Sequence, residues 1–402
     1  MAPAGNFECL TAAVQGGADS VYFGVGNLNM RSHSANNFKP EDIRQVAGYC
    51  REHGVKSYLT LNIVLYDQDL PSMQQTLEAA REAGISAVIA SDMAAVLYAR
   101  QAGLEVHAST QLNISNTASL RYFSRFADVV VLARELTLPQ IRDIARAIDR
   151  EEIKGPSGEP LRLELFCHGA LCMAVSGKCY LSLHEYNASA NRGSCYQLCR
   201  RGYRVTDVET GRELEVGNPY IMSPKDLCTI EFIDKIMDAG IRVLKIEGRA
   251  RSAEYVKRVT SAYRRAADAV CAGTFTPAMG AALKQELGEV FNRGFWDGYY
   301  QGAPLGEWSE VYGSKATRRK TYVGKVTNYF SKLGVAEILI ETGSLSAGNH
   351  ILIIGPTTGV VEQDVQEIRV DLDPVASAVK GQYCSIPTGE KLRRSDKVYL
   401  FE

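Results

Sequence analysis

Over roughly the first 260 residues, short and nearly continuous apolar runs alternate with stretches of helical period, and each run ends in polar or glycine residues. The runs read as strands: MAPAG, SVYFGV, KSYLTLN, SAVIAS, EVHAST, DVVVLAR, LRLELFCHG and RVLKIEG. Between them, FECLTAAVQGGA, KPEDIRQVAGYCREHG and SMQQTLEAAREAG space their apolar residues as amphipathic helices do. Strands that are apolar on both faces are expected where helices cover both sides of a parallel sheet. Eight such units predict a (β/α)8 TIM-like barrel. A doubly wound open sheet is the alternative, but MAPAGN is a poor version of the glycine-rich turn which that fold shows after its first strand.

The pattern changes further on. Helical SAEYVKRVTSAYRRAADAVCAG and ALKQELGEVFNRG lead into GAPLGEWSEVYGSKATRRK, which reads as a linker over 301–320. Beyond it YVGKVTNYFS, GVAEILIET, NHILIIGP, VVEQDVQEIRV, QYCSIP and KVYLFE alternate with turn residues, predicting a small antiparallel β-barrel domain over 321–402. The first domain then covers 1–300, with a cysteine-rich insertion at 167–228 after the seventh strand, at the rim where barrel enzymes do their chemistry.

Charge narrows the function. With 45 basic against 46 acidic residues, the chain does not coat nucleic acid by net charge, though a local basic patch is allowed. No apolar run reaches membrane-spanning length, and MAPAGNFECL lacks the charged and apolar regions of a signal peptide. The expectation is a cytoplasmic chain, without a membrane partner, whose thiols are reduced.

Those thiols are the most informative residues. Cys9, Cys50, Cys271 and Cys384 are scattered as small buried hydrophobes would be, and Cys167 ends a strand, where it packs. Cys172, Cys179, Cys195 and Cys199 instead fall within 28 residues rich in Gly, Ser, Asn and Arg, with Cys228 shortly after. A loop of that composition can wrap an ion. Zinc prefers two close pairs, and only Cys195 and Cys199 make one; an iron–sulfur cluster tolerates uneven spacing better.

The segment Glu164-x-Phe166-x-x-Gly169-Ala170-Leu171-Cys172, followed by Gly177-x-Cys179 and Ser182, resembles the signature of the peptidase U32 family. Asn191-Arg192-Gly193-x-Cys195, Ser223-Pro224-Lys225-Asp226-Leu227-Cys228, Lys245-Ile246-Glu247-Gly248-Arg249 and the opening Ala-Pro-Ala-Gly-Asn extend the match over nearly the whole chain. Within the family, CHGALCMAVSGKCYLS, NRGSCYQLCRR and SPKDLC are most similar to the branch that hydroxylates tRNA. The resemblance implies a [4Fe–4S] cluster on Cys172, Cys179, Cys195 and Cys228, with Cys199 the rival for the fourth position. It further implies prephenate as co-substrate, oxygen-independent formation of 5-hydroxyuridine at the tRNA wobble position, a related U32 chain as partner subunit, and a translation-factor type of C-terminal barrel. Hydroxylation of ribosomal RNA or of a quinone by the same cluster chemistry is an alternative, as is the collagenase-like peptidase activity in the family's older name. A third reading is a non-catalytic RNA-binding accessory.

A peptidase needs an activated nucleophile or a metal-bound water. The chain has no G-x-S-x-G and no H-E-x-x-H, and a Cys172–His168 pair would use the strongest cluster ligand as nucleophile. If the fold is a barrel, Arg31, Asn36, Asn62, Gln111, Arg134, Glu135, His168, Glu247 and Arg249 stand at strand C-termini. Prephenate carries two carboxylates, so Arg31, Arg134 and Arg249 are its natural clamps, with Asn62 and Gln111 beside them. Lys225 and Lys245 add charge, Lys245 the less because alternation along VLKIEGR turns it from Glu247 into the barrel wall. His168 and Glu247 are the proton-transfer candidates. Arg192, Arg200 and Arg201, with Arg204 and ATRRK, are candidates for RNA phosphates. Each of these charges serves equally well as a structural ion pair or a solvated loop face.

Overall fold

The computed structural model describes residues 1–33, 37–204, 206–213, 220, 222–302, 306–311 and 313–402. Asn36 lies outside them. All eight runs read as strands form strands: β1 (Ala2–Ala4), β2 (Ser20–Gly24), β3 (Lys56–Leu61), β4 (Ala87–Ala90), β5 (Glu105–Ala108), β6 (Val129–Val131), β7 (Arg162–Gly169) and, after β8 (Asp226–Cys228), β9 (Val243–Ile246). From β1 to β7 each strand is parallel to its predecessor, and β9 continues the sheet on β7, with Glu164 opposite Val243. The Met1 amino group donates to Leu244 O at 2.8 Å and Ile246 N donates to Met1 O at 3.1 Å, so β9 also meets the start of β1. The sequence reading missed β8, antiparallel to the end of β7, and β10 (Phe295–Trp296), which pairs with it. At three and two residues, both are too short to show a period.

The crossover helices are α1 (Phe7–Gln15), α2 (Ile43–Glu52), α3 (Leu70–Ala83), α4 (Met93–Gln101), α5 (Thr117–Phe123) and α6 (Leu138–Arg150). Their starts are chemically marked. Asn6 and Asp92 accept from backbone amides two or three residues on, and Thr137 and Gln140 form a capping box ahead of α6. Leu138, Ile141, Ile144 and Ile148 then bury one face of α6 against the sheet. After α7 (Leu181–Tyr186) and α8 (Ile233–Asp238), α9 (Ala253–Cys271) and α10 (Pro277–Leu287) complete the unit. No helix among the described residues is long and apolar enough to cross a membrane.

The C-terminal part is an antiparallel sheet of β11 (Lys320–Phe330), β12 (Val335–Ile340), β14 (His350–Gly355), β15 (Gly359–Asp364), β16 (Ile368–Val370), β17 (Asp373–Val375), β19 (Tyr383–Pro387) and β20 (Lys397–Phe401), with β13 (Ser344–Ser346) and β18 (Ser377–Val379) as a separate pair. VVEQDVQEIRV, read as one strand, is split between β15 and β16.

The sheet is not hung on a free linker. Lys225 N donates to Glu307 O, Ser309 N to Ser223 O, Lys315 N to Asn292 O and Thr317 N to Gly288 O, which fastens this stretch to the first unit. Leu352, Ile354, Val360 and Phe401 of the sheet belong to one apolar core with Leu10 of α1 and Val256 and Val259 of α9. Gln15 closes the junction, donating to Thr358 O at 2.9 Å and accepting from Val360 N at 2.9 Å. Gly359 has φ +68°, and a Cβ there would fall 2.3 Å from the Gln15 amide oxygen, so the turn against α1 requires glycine.

Candidate functional site

The C-terminal ends of the parallel strands open on a cavity of about 690 Å³, a volume suited to a small molecule or a nucleotide. Tyr22, Thr60, Asn62, Phe166, Lys245, Glu247 and Arg249 line it from the strands and their ends, and the 170–200 segment forms the opposite wall. Eight lining side chains are Arg or Lys (31, 134, 178, 200, 245, 249, 251 and 293) against one lining acid, Glu247, and from just outside the lining Glu164 pairs with Lys245 and Asp226 with Arg251 and Arg293.

Lys245 reverses the sequence expectation. Residues 245, 247 and 249 share one parity, and all three face the cavity. Lys245 Nζ lies 2.6 Å from Glu164 Oε1, both side chains almost fully buried, and His107 Nδ1 stands 3.5 Å from Glu164 Oε2. Burial alone would raise the Glu164 carboxyl, but Lys245 and His107 more than offset this and hold it at about 2. Lys245 is thus committed to Glu164 beneath the cavity.

The guanidiniums differ in what holds them. Arg31 pairs with Glu247 at 2.9 Å. Arg249 is buried, and its bonds run from Nη1 to two neutral oxygens, Asn29 Oδ1 at 2.9 Å and Thr60 Oγ1 at 2.8 Å; burial brings its pKa down to about 10. Arg134 stacks 4.0 Å over the Phe166 ring and donates to Ala170 O at 3.4 Å, while its buried Nε has no hydrogen-bond partner. Asn62 accepts from Met30 N and reaches Gln111 Oε1 at 3.5 Å. Arg31, Asn62, Gln111, Arg134 and Arg249 therefore come together on one cavity. Burial pushes the Glu247 carboxyl up, but Arg31, Arg249 and Arg134 bring it below its ordinary value, so it is ionised near neutrality and serves as an anionic partner or base.

His168 does not join them. It is absent from the cavity lining and sits buried among Tyr255, Tyr263 and Phe295, where burial lowers its pKa to about 3. An imidazole that stays neutral and away from solvent is a core residue, which corrects the proton-transfer expectation.

The cysteines divide in the same way. Cys172, Cys179, Cys195 and Cys199 all line the cavity, and the Cys199 thiol feels the other three. Cys228 does not line it. Its register partner is His168, it lies with Cys167 in the apolar core, and burial pushes both thiols up to about 12. Cys199 thus faces the cavity with Cys172, Cys179 and Cys195, and Cys228 does not. Among the described residues no three His, Cys, Asp or Glu converge as they would on a single ion, so the thiols stand more widely around their wall.

The wall is tied down from several sides. The Arg200 guanidinium donates to Leu171 O at 2.6 Å, to Ser223 Oγ at 3.0 Å and to Pro224 O. Asn113 donates to Ser176 O and Val64 N to Asn191 O. Gly193, at φ +91°, lets the chain pass where a Cβ would sit 2.0 Å from Ser32 Oγ.

The arginines expected to meet RNA phosphates differ in the partners they already hold. Arg200 is consumed by these bonds, and Arg192 pairs with Asp69 at 2.7 Å while stacking 3.8 Å over Tyr66. Arg204 pairs with Glu213, whereas Arg201 is exposed and donates to the Tyr186 hydroxyl at 2.8 Å. Tyr22, Thr60, Arg251 and Arg293 went unread as site residues. Parity with Lys245 was the available signal for Arg251, and the polar ring in SVYFGV the signal for Tyr22.

The fold and site define an α/β protein of mainly parallel sheet with a cavity at its strand ends, lined by basic side chains and walled by four thiols. The chain belongs to peptidase family U32, whose model matches residues 5–310. It is 60% identical over 402 residues to a protein named "Collagenase" from Porphyromonas gingivalis (strain ATCC BAA-308 / W83), covering all of this chain and 97% of that one. It is 36% identical over 365 residues to tRNA hydroxylation protein P1 of Bacillus subtilis (strain 168), covering 89% of this chain and 83% of that protein. It is also 35% identical over 271 residues to the 23S rRNA 5-hydroxycytidine C2501 synthase of Escherichia coli (strain K12), covering 67% of this chain and 39% of that protein.

Proposed function

We propose that the chain is an iron–sulfur RNA hydroxylase that forms 5-hydroxyuridine in tRNA with prephenate as co-substrate, on a (β/α)8 barrel closed by the Met1 bonds to β9. The observation that carries this reading is the juxtaposition, on one cavity, of four thiols and guanidiniums that lack a direct carboxylate partner. A carboxylate is a guanidinium's best-matched ligand, and Arg134 and Arg249 are the two such groups open to it. Four thiolates are the donor set that a [4Fe–4S] cluster takes, and Cys172, Cys179, Cys195 and Cys199 would hold it, with Cys199 in place of the Cys228 implied by the family motif. When bound, a cluster supplies an electron-transfer or Lewis-acid centre. The chain's own residues do the rest. Arg134 and Arg249 orient the dicarboxylate, and Glu247, kept ionised by Arg31, accepts a proton at Oε1 or Oε2 or holds a cation there.

A peptidase is the second reading, favoured by the name of the 60% identical relative. The Cys172–His168 pair it would use is not formed, because His168 is sealed from the cavity.

The test is anaerobic purification with iron and sulfide quantitation, joined to nucleoside analysis of tRNA from a host lacking its own tRNA hydroxylases. About four irons per chain and restored 5-hydroxyuridine are expected for the wild type and for Cys228→Ala, and loss of both for Cys199→Ala. A metal-free chain that restores nothing and cleaves gelatin would establish the peptidase instead.

A further inference from the structure

Large apolar side chains are exposed unevenly over this molecule. Met173, Val175, Tyr180, Leu181, Tyr186 and Tyr196, each at least 36% exposed, all fall in the short segment that walls the cavity. Soluble chains seldom concentrate such residues without a partner for them. Three are tyrosines: Tyr180 is 69% exposed, Tyr196 54% and Tyr186 46%. Tyr180 lines the cavity mouth, and the Tyr186 and Tyr196 rings meet edge to face with centroids 5.3 Å apart. Arg201 stands 5.6 Å over the Tyr186 ring and donates to its hydroxyl, bringing a cation to the pair with no carboxylate in contact among the described residues.

A rim that pairs aromatic faces with a cation, around a cavity where Arg134, Lys178 and Arg249 have no carboxylate in contact among the described residues, is complementary to a flexible polyanion with planar groups. Unpaired nucleotides fit this description. Their bases stack on tyrosine faces, their phosphates meet Arg201 and Lys178, and one base can turn into the cavity. A duplex fits poorly, because its bases are already stacked on each other.

We propose that Tyr180, Tyr186 and Tyr196, with Arg201, form a stacking platform that holds the nucleotides flanking the target base in a single-stranded RNA loop. This deepens the hydroxylase reading and rests on it for the choice of RNA.

The experiment measures binding of the anaerobically purified chain to a fluorescent RNA hairpin with a seven-nucleotide uridine-containing loop, and to the same stem as a closed duplex. Assays cover several salt concentrations and are run beside 5-hydroxyuridine formation. The wild type should prefer the loop. Tyr180→Ala and Tyr196→Ala should each weaken loop binding roughly five- to a hundredfold without changing its salt dependence, Tyr→Phe variants should bind like wild type, and Arg201→Ala should lower the salt slope by about one. All of these side chains are exposed, and unchanged thermal melting confirms folding. Alanine variants that bind the loop as tightly as wild type overturn the platform even if hydroxylation is intact. The same holds if they lose only association with another protein chain. A wild type that binds the loop through these tyrosines but makes no 5-hydroxyuridine sinks the hydroxylase reading and leaves the platform standing; one that binds no RNA overturns both.

Discussion

At the scale of single residues, the buried charges beneath the cavity control more than the exposed ones. His107 is 1% exposed and lies between Glu105 at 3.3 Å and Glu164 at 3.5 Å. Burial lowers its pKa, but the two carboxylates outweigh that and raise it above the ordinary 6.5. A group raised on folding stabilises fully below its unfolded value and loses that contribution as pH climbs through the folded one. Glu164, depressed to about 2, contributes above about 4.5 and loses its share only as pH falls toward 2. His107→Gln should therefore cost about 1–3 kcal/mol at and below pH 6.5, and the gap to wild type should narrow as pH rises. Urea unfolding of both proteins from pH 5.5 to 9 measures it, and a gap that widens with pH would show a neutral His107. None of this was legible in the sequence. Glu164 and Lys245 lie on different strands, and which carboxylate a buried lysine meets depends on how β7 and β9 align.

At the scale of elements, local signals served well where a segment spans several residues. The eight parallel strands were readable because apolar runs, polar ends and capped helices all agree. Cys228 shows what such signals do not reach: the sequence left it and Cys199 as rivals, and β8 turns it into the core beside His168. A three-residue strand leaves no trace that a period could reveal. Arg200 carries the matching prediction for the thiol wall. From one end of the 170–200 segment its guanidinium binds Leu171 at the other end, and Ser223 and Pro224 just ahead of β8, so Arg200→Ala should free the wall while leaving the strands intact. Iron per chain should fall by more than half while the melting temperature shifts by only a few degrees. Full iron retention would show that the segment is held by its other bonds.

For the whole molecule, the sequence suggested two domains on a linker, and the structure joins them through a common core. Turn-rich alternation correctly announced an antiparallel sheet, but the apolar residues of α1 and α9 that it covers looked like ordinary helix faces. The covering has a measurable result. Full-length chain should unfold in one cooperative transition, and a chain ended at residue 319 should be insoluble or bind hydrophobic dyes, because Leu10, Val256 and Val259 lose their cover. Two well-separated transitions in calorimetry would contradict this.

The four thiols come from one uninterrupted stretch, whereas Arg31, Arg134 and Arg249 follow separate strands. Heredity can treat these independently. A lineage can keep the thiol segment as a cassette, copied whole, while point changes at strand tips retune what is bound beside it. A substitution at one strand tip would then change what fits beside the thiols without disturbing the segment that carries them.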